Sequence, residues 1–522
     1  MTDMIEVPIE AAGVPRAKAM LERAEWAARA LARYDRESVA EIVQATARAA
    51  AAAAKDLAYQ AVAETGFGVA EHKVFKNLAC STGLLDHYRG HDYVTPRVDS
   101  EAKIVSVPRP AGVVFALTPS TNPVATVYFK TLLCLMTRNA VVISPHPMAK
   151  AVCAEAARLM HAAAVAAGAP EGIIQVVEEP SVPLIQALMT DERTKVIVAT
   201  GGNPVVRSAY RSGNPAIGVG PGNVPVLVDA TADLRRAAEH VITSKAFDNS
   251  ILCTNESVLI VEESVADPLL RAMRGEGGHL LDADQAERIR TTVFPNGSFD
   301  TKMVGQSATS IAQQAGIRVP QHTRVLLAPF DLVAPEEVLA HEKLCPVLGV
   351  VRVASARRGI DVARAVLRIS GAGHSAAIHS TDPQTILDFG AAVNVLRVSV
   401  NVGNSLGGSG IETNLAPSMT IGTGYLGRSS VGENLQPKHL LNFTRLAYNS
   451  DSTVPFADFA GLSPWAAPAG PVPPYPHASN VSTPQADPAP ARSATASDDG
   501  EAQLREDLRR LIIEELTNII KG

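Results

Sequence analysis

The chain has 522 residues, of which 46% are hydrophobic and 19% are charged, a composition typical of a soluble globular protein with several domains. The net charge of -6 provides no basic excess for binding nucleic acid. Five cysteines without CxxC spacing argue against a disulfide framework and against a zinc site, so no metal is predicted. No apolar run approaches the roughly 20 residues of a membrane span, and the first residues lack the pattern of a signal peptide.

Alanine-rich stretches with regularly spaced apolar residues predict helices over the first 90 residues. Runs of β-branched residues then alternate with helical patterns, which is the rhythm of a parallel sheet covered on both faces. The predicted strands are 113–117, 140–144, 173–177, 195–200 and 224–229. The predicted helices between them are 124–136, 148–167 and 182–189. A second block of mixed strands and helices follows from about 230 to 425, so the fold class is α/β.

The C-terminal part of the sequence changes character twice. Residues 462–502 are rich in Pro, Ala and Ser and poor in large apolar side chains, which predicts a disordered linker. Residues 503–522 predict an amphipathic helix, because their leucines and isoleucines fall on one helical face. A helix on such a tether cannot easily bury its apolar face on its own domain, so we expect it to dock on another molecule. Folding back onto the chain, or closing an oligomer, is the alternative.

A polar turn follows the first predicted strand, in the stretch LTPSTNPVATVYF. Ligands of open parallel sheets bind at such strand ends, so Thr118 and Asn122 are candidate site residues. Pro123 suits the first turn of the helix that follows. The amide of Asn122 could donate a hydrogen bond to a developing oxyanion, and an ordinary helix cap is the alternative.

Two glycine-rich turns are candidates for binding an anion or a cofactor. Gly201 and Gly202 follow a predicted strand and open a helix, where backbone N–H groups favour a phosphate. Gly218, Gly220 and Gly222 form a second turn before a strand, and close approach of the backbone to a ligand is one reason for such a run. Neither turn matches GxGxxG, and a simple tight loop remains the alternative.

Cys253 is the cysteine least typical of a protein core. It lies in the stretch FDNSILCTNES, among aspartate, asparagine, serine and threonine, whereas Cys134 and Cys153 lie on apolar helix faces. A thiol attacks a carbonyl as the thiolate, which forms in a polar or electropositive setting. Cys253 is therefore the best candidate for a nucleophile, with a buried structural cysteine as the alternative.

The motifs together resemble a known family. The stretches TPSTNPVATVYFKTLL, ATGGNPVVRSAYRSGNPAIGVGPGN, FDNSILCTNESVLIVEE and HEKLCPVLGV are similar to those of CoA-acylating aldehyde dehydrogenases. The resemblance is greatest to the aldehyde dehydrogenase half of bifunctional aldehyde/alcohol dehydrogenases and to bacterial microcompartment cargo enzymes. It implies a Rossmann-type nucleotide-binding domain over 1–228 with an oligomerisation hairpin near 93–110, a catalytic domain over 229–425, and a return segment over 426–461 that leads back to the cofactor and oligomerisation region.

The resemblance also implies the roles of single residues. Cys253 matches the nucleophile, and Asn122 matches the amide of the oxyanion hole. His374 is a further matched position, expected near the site or in a structural loop role. The positions implied for cofactor binding are Thr118, Ser144, Pro145, His146, Thr200, Gly201, Gly202, Gly220 and Glu342. Among these, His146 stands where hydrolytic members of the superfamily carry lysine.

One departure from the hydrolytic members bears on the product. Aligning on Pro225 puts Val219 at the position of the glutamate that activates their deacylating water. Valine cannot accept a proton, so a thioester at Cys253 would await a thiol such as coenzyme A. The predicted reaction is reversible, NAD-dependent oxidation of a short-chain aldehyde to acyl-CoA, with NADP also open as the cofactor. A hydrolytic enzyme that forms the free acid is the alternative, and a glutamyl-phosphate reductase or a degenerate scaffold fits less well.

The resemblance extends to location and partners. A proline- and alanine-rich linker before a short amphipathic helix is similar to the encapsulation peptides of microcompartment cargo. It implies a cytoplasmic enzyme inside a bacterial microcompartment, with shell proteins as partners of residues 503–522. A homodimer or homotetramer is expected, with no nucleic-acid or membrane partner.

Overall fold

A computed structural model describes residues 9–470 and residue 475. Its helices are α1 (Ile9–Leu31), α2 (Arg36–Ala52), α3 (Ala54–Thr65), α4 (Ala70–Ala79), α5 (Thr82–His87), α6 (Pro123–Met136), α7 (Lys150–Ala166), α8 (Val182–Thr190), α9 (Asn203–Arg211), α10 (Leu234–Ala246), α11 (Glu263–Gly275), α12 (Ala283–Val293), α13 (Ala308–Gln314), α14 (Ala356–Ile369), α15 (Pro383–Ala392) and α16 (Asn404–Gly407). Its strands are β1 (Arg97–Asp99), β2 (Ile104–Pro110), β3 (Val113–Thr118), β4 (Ala140–Pro145), β5 (Ile174–Val176), β6 (Thr194–Thr200), β7 (Ala216–Val219), β8 (Val224–Val228), β9 (Glu256–Glu262), β10 (Gly278–Leu280), β11 (Val325–Pro329), β12 (Val347–Val353), β13 (Ala376–His379), β14 (Val398–Val400) and β15 (Leu441–Ala447).

The helical prediction for the N-terminal region is confirmed by α1 to α5. Local sequence explains their limits: the Asp35 side chain accepts a hydrogen bond from the Ser38 N–H and caps α2. Helix α3 ends at Gly66, whose φ of 72° suits a left-handed cap. The buried faces of α1 and α2 are rich in alanine, so α1 packs closely on strands β3, β4 and β5 of the first sheet and α2 packs closely on α6 and α7.

The first sheet contains five parallel strands in the order β5-β4-β3-β6-β7. Strands β3 and β4 are buried along their whole length, as predicted for a parallel sheet covered on both faces. Helix α6, between them in sequence, is buried at all of its 14 positions. The strand and helix predictions for residues 113–200 are therefore confirmed to within a few residues at each end.

The second sheet contains seven parallel strands in the order β10-β11-β12-β9-β8-β13-β14. Strand β8 pairs with β9 and β13, so it belongs to this sheet and not to the first. The change of sheet falls between Val219 and Val224, ahead of the division predicted at residue 228. A run of valines fits either sheet equally well, so sequence alone could not assign this strand.

A small antiparallel sheet joins two distant parts of the chain. Strands β1 and β2 form a hairpin inside the region predicted at 93–110, and β15 pairs with β2 along its length. Strand β15 lies in the segment 426–461, which therefore returns to the hairpin as the resemblance implied. The role of this sheet in oligomerisation stays a prediction.

The beginning of the predicted linker packs against the N-terminal half of the chain. The indole N–H of Trp465 donates to the carbonyl of Val94 at 3.1 Å, and the Arg138 guanidinium lies 4.5 Å from the Trp465 ring centroid. Residues 462–470 are thus held in place and do not belong to a disordered linker, because their one large aromatic side chain finds a cationic partner. The predicted helix at 503–522 lies outside the described residues. No helix in the described part of the chain is both long and apolar enough to cross a membrane.

Candidate active site

Cys253 lies in the loop between α10 and β9, and it is the cysteine that solvent reaches. Its side chain is partly exposed, whereas Cys80, Cys134, Cys153 and Cys345 are buried. This agrees with the prediction that Cys253 is the least core-like of the five.

The polar neighbours that singled out Cys253 in the sequence bond to one another and to residues outside the loop. The Ser250 hydroxyl donates to Asn255 Oδ1 at 2.6 Å, and the buried Lys245 ammonium donates to the same oxygen at 2.6 Å. The Thr254 hydroxyl donates to the carbonyl of Ser405 at 2.8 Å. These bonds fix the shape of the loop and account for its polar composition without activating the thiol.

Burial keeps the Cys253 thiol protonated at neutral pH. Burial and the nearby Glu342 carboxyl raise the pKa of the Cys253 thiol to about 12, while the Arg397 guanidinium opposes this shift. Arg397 is itself buried and donates to the carbonyl of His374 at 2.9 Å. The electropositive setting expected from sequence is therefore weak, and the proton must leave the thiol during reaction.

Glu342 lies beside the backbone of Cys253. The N–H of Gly222 donates to Glu342 Oε1 at 3.1 Å. A Cβ on Gly222 would lie 1.9 Å from the Cys253 carbonyl oxygen and 3.2 Å from Glu342 Oε1, so only glycine fits there. Burial raises the pKa of Glu342 to about 8. At Gly222 the close approach is made to the backbone of Cys253, and the approach to a ligand suggested for this turn, like a role of Glu342 toward the cofactor, stays a prediction.

We expect Glu342→Gln to change thiol reactivity only in alkaline solution. The carboxyl, with its pKa of about 8, is neutral below that pH and leaves the thiol unaffected. Above pH 8 its charge raises the pKa of Cys253, so removing it should lower that pKa and speed alkylation by iodoacetamide. Alkylation rates on both sides of pH 8 measure this, with Glu412→Gln as the control carboxyl. Equal rates for Glu342→Gln and the wild type above pH 8 would contradict the electrostatic coupling.

Asn122 occupies the cap position of α6 but does not cap it. Its side chain makes no capping hydrogen bond; instead Oδ1 accepts a bond from Lys76 Nζ, and Nδ2 donates to the Thr121 hydroxyl at 3.3 Å. Lys76 also donates to Asp248, five residues ahead of Cys253. The ordinary cap is therefore the wrong interpretation, and Lys76 links the Asn122 turn to the loop of the predicted nucleophile.

Most of the residues predicted to bind the cofactor lie at the strand ends along one edge of the first sheet, whereas Glu342 lies beside the Cys253 loop. Thr118 pairs with Pro145 at the ends of β3 and β4, and the His146 N–H donates to the Thr118 carbonyl at 3.0 Å. Thr200 ends β6, the other neighbour of β3. Ser144 is buried at the end of β4, and its hydroxyl has no hydrogen-bond partner among the residues that the structure describes. Strand ends of this kind are where parallel sheets bind nucleotides, and the unpaired Ser144 hydroxyl suits a ligand.

The glycines that follow these strands have no side chain that could extend over the strand ends. A Cβ on Gly201 or Gly202 would meet only side-chain atoms of α9, at 3.9 Å and 3.7 Å respectively. One on Gly220 would meet Thr423 at 3.9 Å. These are ordinary van der Waals distances, and the backbone N–H groups at the start of α9 suit the phosphates of a dinucleotide bound across the strand ends. Cofactor contacts at these positions stay predictions.

Val219 and His374 are both buried. Val219 ends β7 and pairs with Thr200, so an apolar side chain fills the position of the hydrolytic glutamate. His374 has its Nδ1 3.0 Å from the Ser375 hydroxyl, while its Nε2 has no hydrogen-bond partner within the described ranges. Burial and Arg397 lower the pKa of His374 to about 3, so the imidazole is neutral.

Sequence reasoning missed three charged groups of this region: Lys73, Lys76 and Arg397. All three are buried, and their partners lie far away in sequence. The only signal for the lysines was their spacing of three residues on α4, which puts both on one helical face. Nothing in the sequence around Arg397 marks it as a partner of the Cys253 region.

The fold and this arrangement define the class of protein. The aldehyde dehydrogenase family model matches residues 4–413, and the chain belongs to that family. The bifunctional aldehyde-alcohol dehydrogenase AdhE of Escherichia coli K12 is 38% identical over 447 residues, covering 84% of this chain and 50% of the relative. The chain thus spans about half the length of this curated relative. The acetylating succinate-semialdehyde dehydrogenase of Clostridium kluyveri is 36% identical over 441 residues, covering 84% of this chain and 97% of the relative.

Solved structures of aldehyde dehydrogenases are also similar to this chain. An acetylating aldehyde dehydrogenase from Geobacillus thermoglucosidasius has a TM-score of 0.83 and 36% identity, over 84% of this chain and 98% of its own. A propionaldehyde dehydrogenase from the Clostridium phytofermentans fucose utilisation microcompartment has a TM-score of 0.76 and 28% identity, over 83% and 97%. The Rhodopseudomonas palustris propionaldehyde dehydrogenase with bound propionyl-CoA has a TM-score of 0.76 and 29% identity, over 83% and 94%. The resemblance to acylating enzymes inferred from the motifs is confirmed.

Proposed function

We propose that this chain oxidises a short-chain aldehyde to acyl-CoA through a covalent thioester on Cys253. The proposal rests on a partly exposed Cys253 together with a buried, apolar Val219 at the position that the resemblance assigns to the hydrolytic glutamate. Relatives named as acetylating dehydrogenases, at 36% identity over most of their length, support it.

The chain's own residues account for the first half of the reaction. The Cys253 sulfur loses its proton and bonds to the aldehyde carbon, so the carbonyl oxygen becomes an oxyanion. The free N–H of the Asn122 amide stabilises that oxyanion. The strand-end residues from Thr118 to Gly202, together with Glu342, would hold NAD or NADP, and the bound nicotinamide would accept the hydride that leaves the same carbon. The carbon is thereby oxidised, and an acyl thioester remains on Cys253.

The second half of the reaction follows from what surrounds the thioester. A water molecule is a poor nucleophile without a base, and valine at position 219 cannot act as one. The thiol of coenzyme A can attack the thioester carbon; the carbon–sulfur bond to Cys253 breaks, the Cys253 sulfur takes up the proton that the attacking thiol loses, and acyl-CoA is formed. The Rhodopseudomonas palustris relative was solved with bound propionyl-CoA, which supports coenzyme A as the acyl acceptor.

Omitting coenzyme A should separate this function from hydrolysis. With aldehyde and cofactor alone, we expect a burst of at most about one reduced cofactor per Cys253, because the thioester persists. Adding coenzyme A should restore steady turnover, with acyl-CoA as product. Running short aldehydes with NAD and with NADP identifies the preferred substrate and cofactor. Steady formation of free acid without coenzyme A, at a comparable rate, would establish the hydrolytic alternative.

The cellular setting is a separate part of the proposal. We infer that the enzyme works in the cytoplasm inside a bacterial microcompartment, as a homodimer or homotetramer, with residues 503–522 binding shell proteins. The composition of the tail supports this inference. So does the similarity to a propionaldehyde dehydrogenase from a fucose utilisation microcompartment.

A further inference from the structure

Two buried lysines and one buried aspartate lie directly behind Asn122. Lys73 and Lys76 project from α4, and both ammonium groups donate to Asp248 Oδ2. Lys76 is 1% exposed and Asp248 is fully buried, so these charges are almost removed from water. We call Lys73, Lys76 and Asp248 the α4 charge cluster.

The backbone at Asp248, which belongs to this cluster, has an unfavourable conformation. Asp248, Asn249 and Ser250 have consecutive φ values of 49°, 51° and 66°, a left-handed run that is unfavourable for residues other than glycine. A Cβ on Gly68 would lie 2.1 Å from Asp248 Oδ1, so glycine is required for that close approach. The Val69 N–H then donates to Asp248 Oδ1 at 2.6 Å. Strain of this kind persists where the surrounding structure holds it, and it concentrates at functional sites.

The α4 charge cluster determines the orientation of the Asn122 amide. An ammonium group can only donate hydrogen bonds, so Lys76 selects the amide rotamer that turns Oδ1 toward it. Nδ2 must then point to the opposite side, where one N–H donates to the Thr121 hydroxyl and the other has no partner among the residues that the structure describes. A terminal amide torsion is otherwise broad and nearly two-fold, so an unrestrained Asn122 would also present its oxygen.

We propose that Lys76 is a positioning residue that holds Asn122 with its N–H toward the oxyanion, and that Asp248 holds Lys76. This inference rests on the proposed function, because it assigns the free N–H of Asn122 to the oxyanion hole. It also explains why a lysine is buried here with a strained aspartate as its counter-ion. An ion pair used only for stability could be replaced by packed apolar side chains with little loss.

A double-mutant cycle between Lys76 and Asn122 tests this proposal. Lys76→Met should lower kcat for acyl-CoA formation by about 100-fold, the effect expected from misplacing a catalytic group by about 1 Å. In an Asn122→Ala background the same change should lower kcat by less than about threefold, because the positioned group is already absent. Lys73→Met is the matched control, since Lys73 shares Asp248 but donates to the Thr121 carbonyl, at 3.1 Å, and not to the Asn122 amide. Its loss of kcat should be less than about fivefold and should be the same in both backgrounds.

Lys76→Arg keeps the test decisive if Lys76→Met unfolds. Arginine preserves a cation for Asp248, but its wide planar group cannot occupy the place of a single ammonium beside Oδ1. We expect melting near the wild-type temperature with kcat lowered at least about tenfold and KM little changed. Wild-type kcat in folded Lys76→Arg, or an equal loss from Lys76→Met in both backgrounds, would overturn the proposal. Failure of the proposed function is distinguishable, because the wild-type enzyme would then form no acyl-CoA.

Discussion

Replacing Cys253 by alanine should lower acyl-CoA formation by at least about 10⁴-fold, in the range seen when other enzymes lose their nucleophile. The physical reason is that without sulfur at this position no thiohemiacetal or thioester can form, and the remaining oxyanion-hole donor has nothing to stabilise. The measurement is cofactor reduction with aldehyde and coenzyme A, together with mass analysis for an acyl adduct on the protein.

The matched control for this prediction is Cys134→Ala. Cys134 is buried in α6, and burial raises the pKa of its thiol to about 12, as it does for Cys253. The control removes a thiol with a similarly raised pKa and should leave turnover intact in a folded protein. Acyl-CoA formation by the Cys253→Ala protein at even one-hundredth of the wild-type rate would show that another group carries the acyl intermediate.

Replacing Asn122 by alanine should lower kcat by about 10²–10³-fold, the usual effect of losing one oxyanion-hole donor. KM for the aldehyde should change much less, because the oxyanion exists only after the thiol has attacked. Single-turnover measurement of cofactor reduction reports this step directly. A kcat within about threefold of the wild type would mean that Asn122 does not face the oxyanion.

Asn122→Asp distinguishes the two hydrogen-bonding roles of this side chain, because it keeps an acceptor for Lys76 and removes the N–H donor. A carboxylate at this position still accepts the hydrogen bond of Lys76, so thermal stability should match or exceed that of the wild type. It offers no N–H to the substrate and adds negative charge near the oxyanion, so activity should fall below that of Asn122→Ala. Activity of Asn122→Asp above that of Asn122→Ala would show that the Lys76 contact matters more than the donor.

Much of the fold could be read from the sequence because it depends on local periodicity. The strands at 113–118 and 140–145 are short apolar runs bounded by turn residues, and α6 follows a proline that suits a helix start. The placement of β8 could not be read in the same way. Its valines fit any buried strand, and its neighbours β9 and β13 are determined by how the whole second sheet assembles. Trp465 is a similar case, because its partners Val94 and Arg138 lie more than 300 residues away in sequence.

For the site, the sequence by itself determined which side chains are present. It singled out a cysteine in a polar loop, an asparagine after a strand, and valine in place of a base. Only the tertiary structure decided how these groups are placed and charged. Burial beside Glu342 raises the pKa of Cys253, and Lys76 turns the Asn122 amide away from its capping position. Electrostatic and hydrogen-bonding effects act through space over a few ångströms, and the chain brings those partners together only by folding.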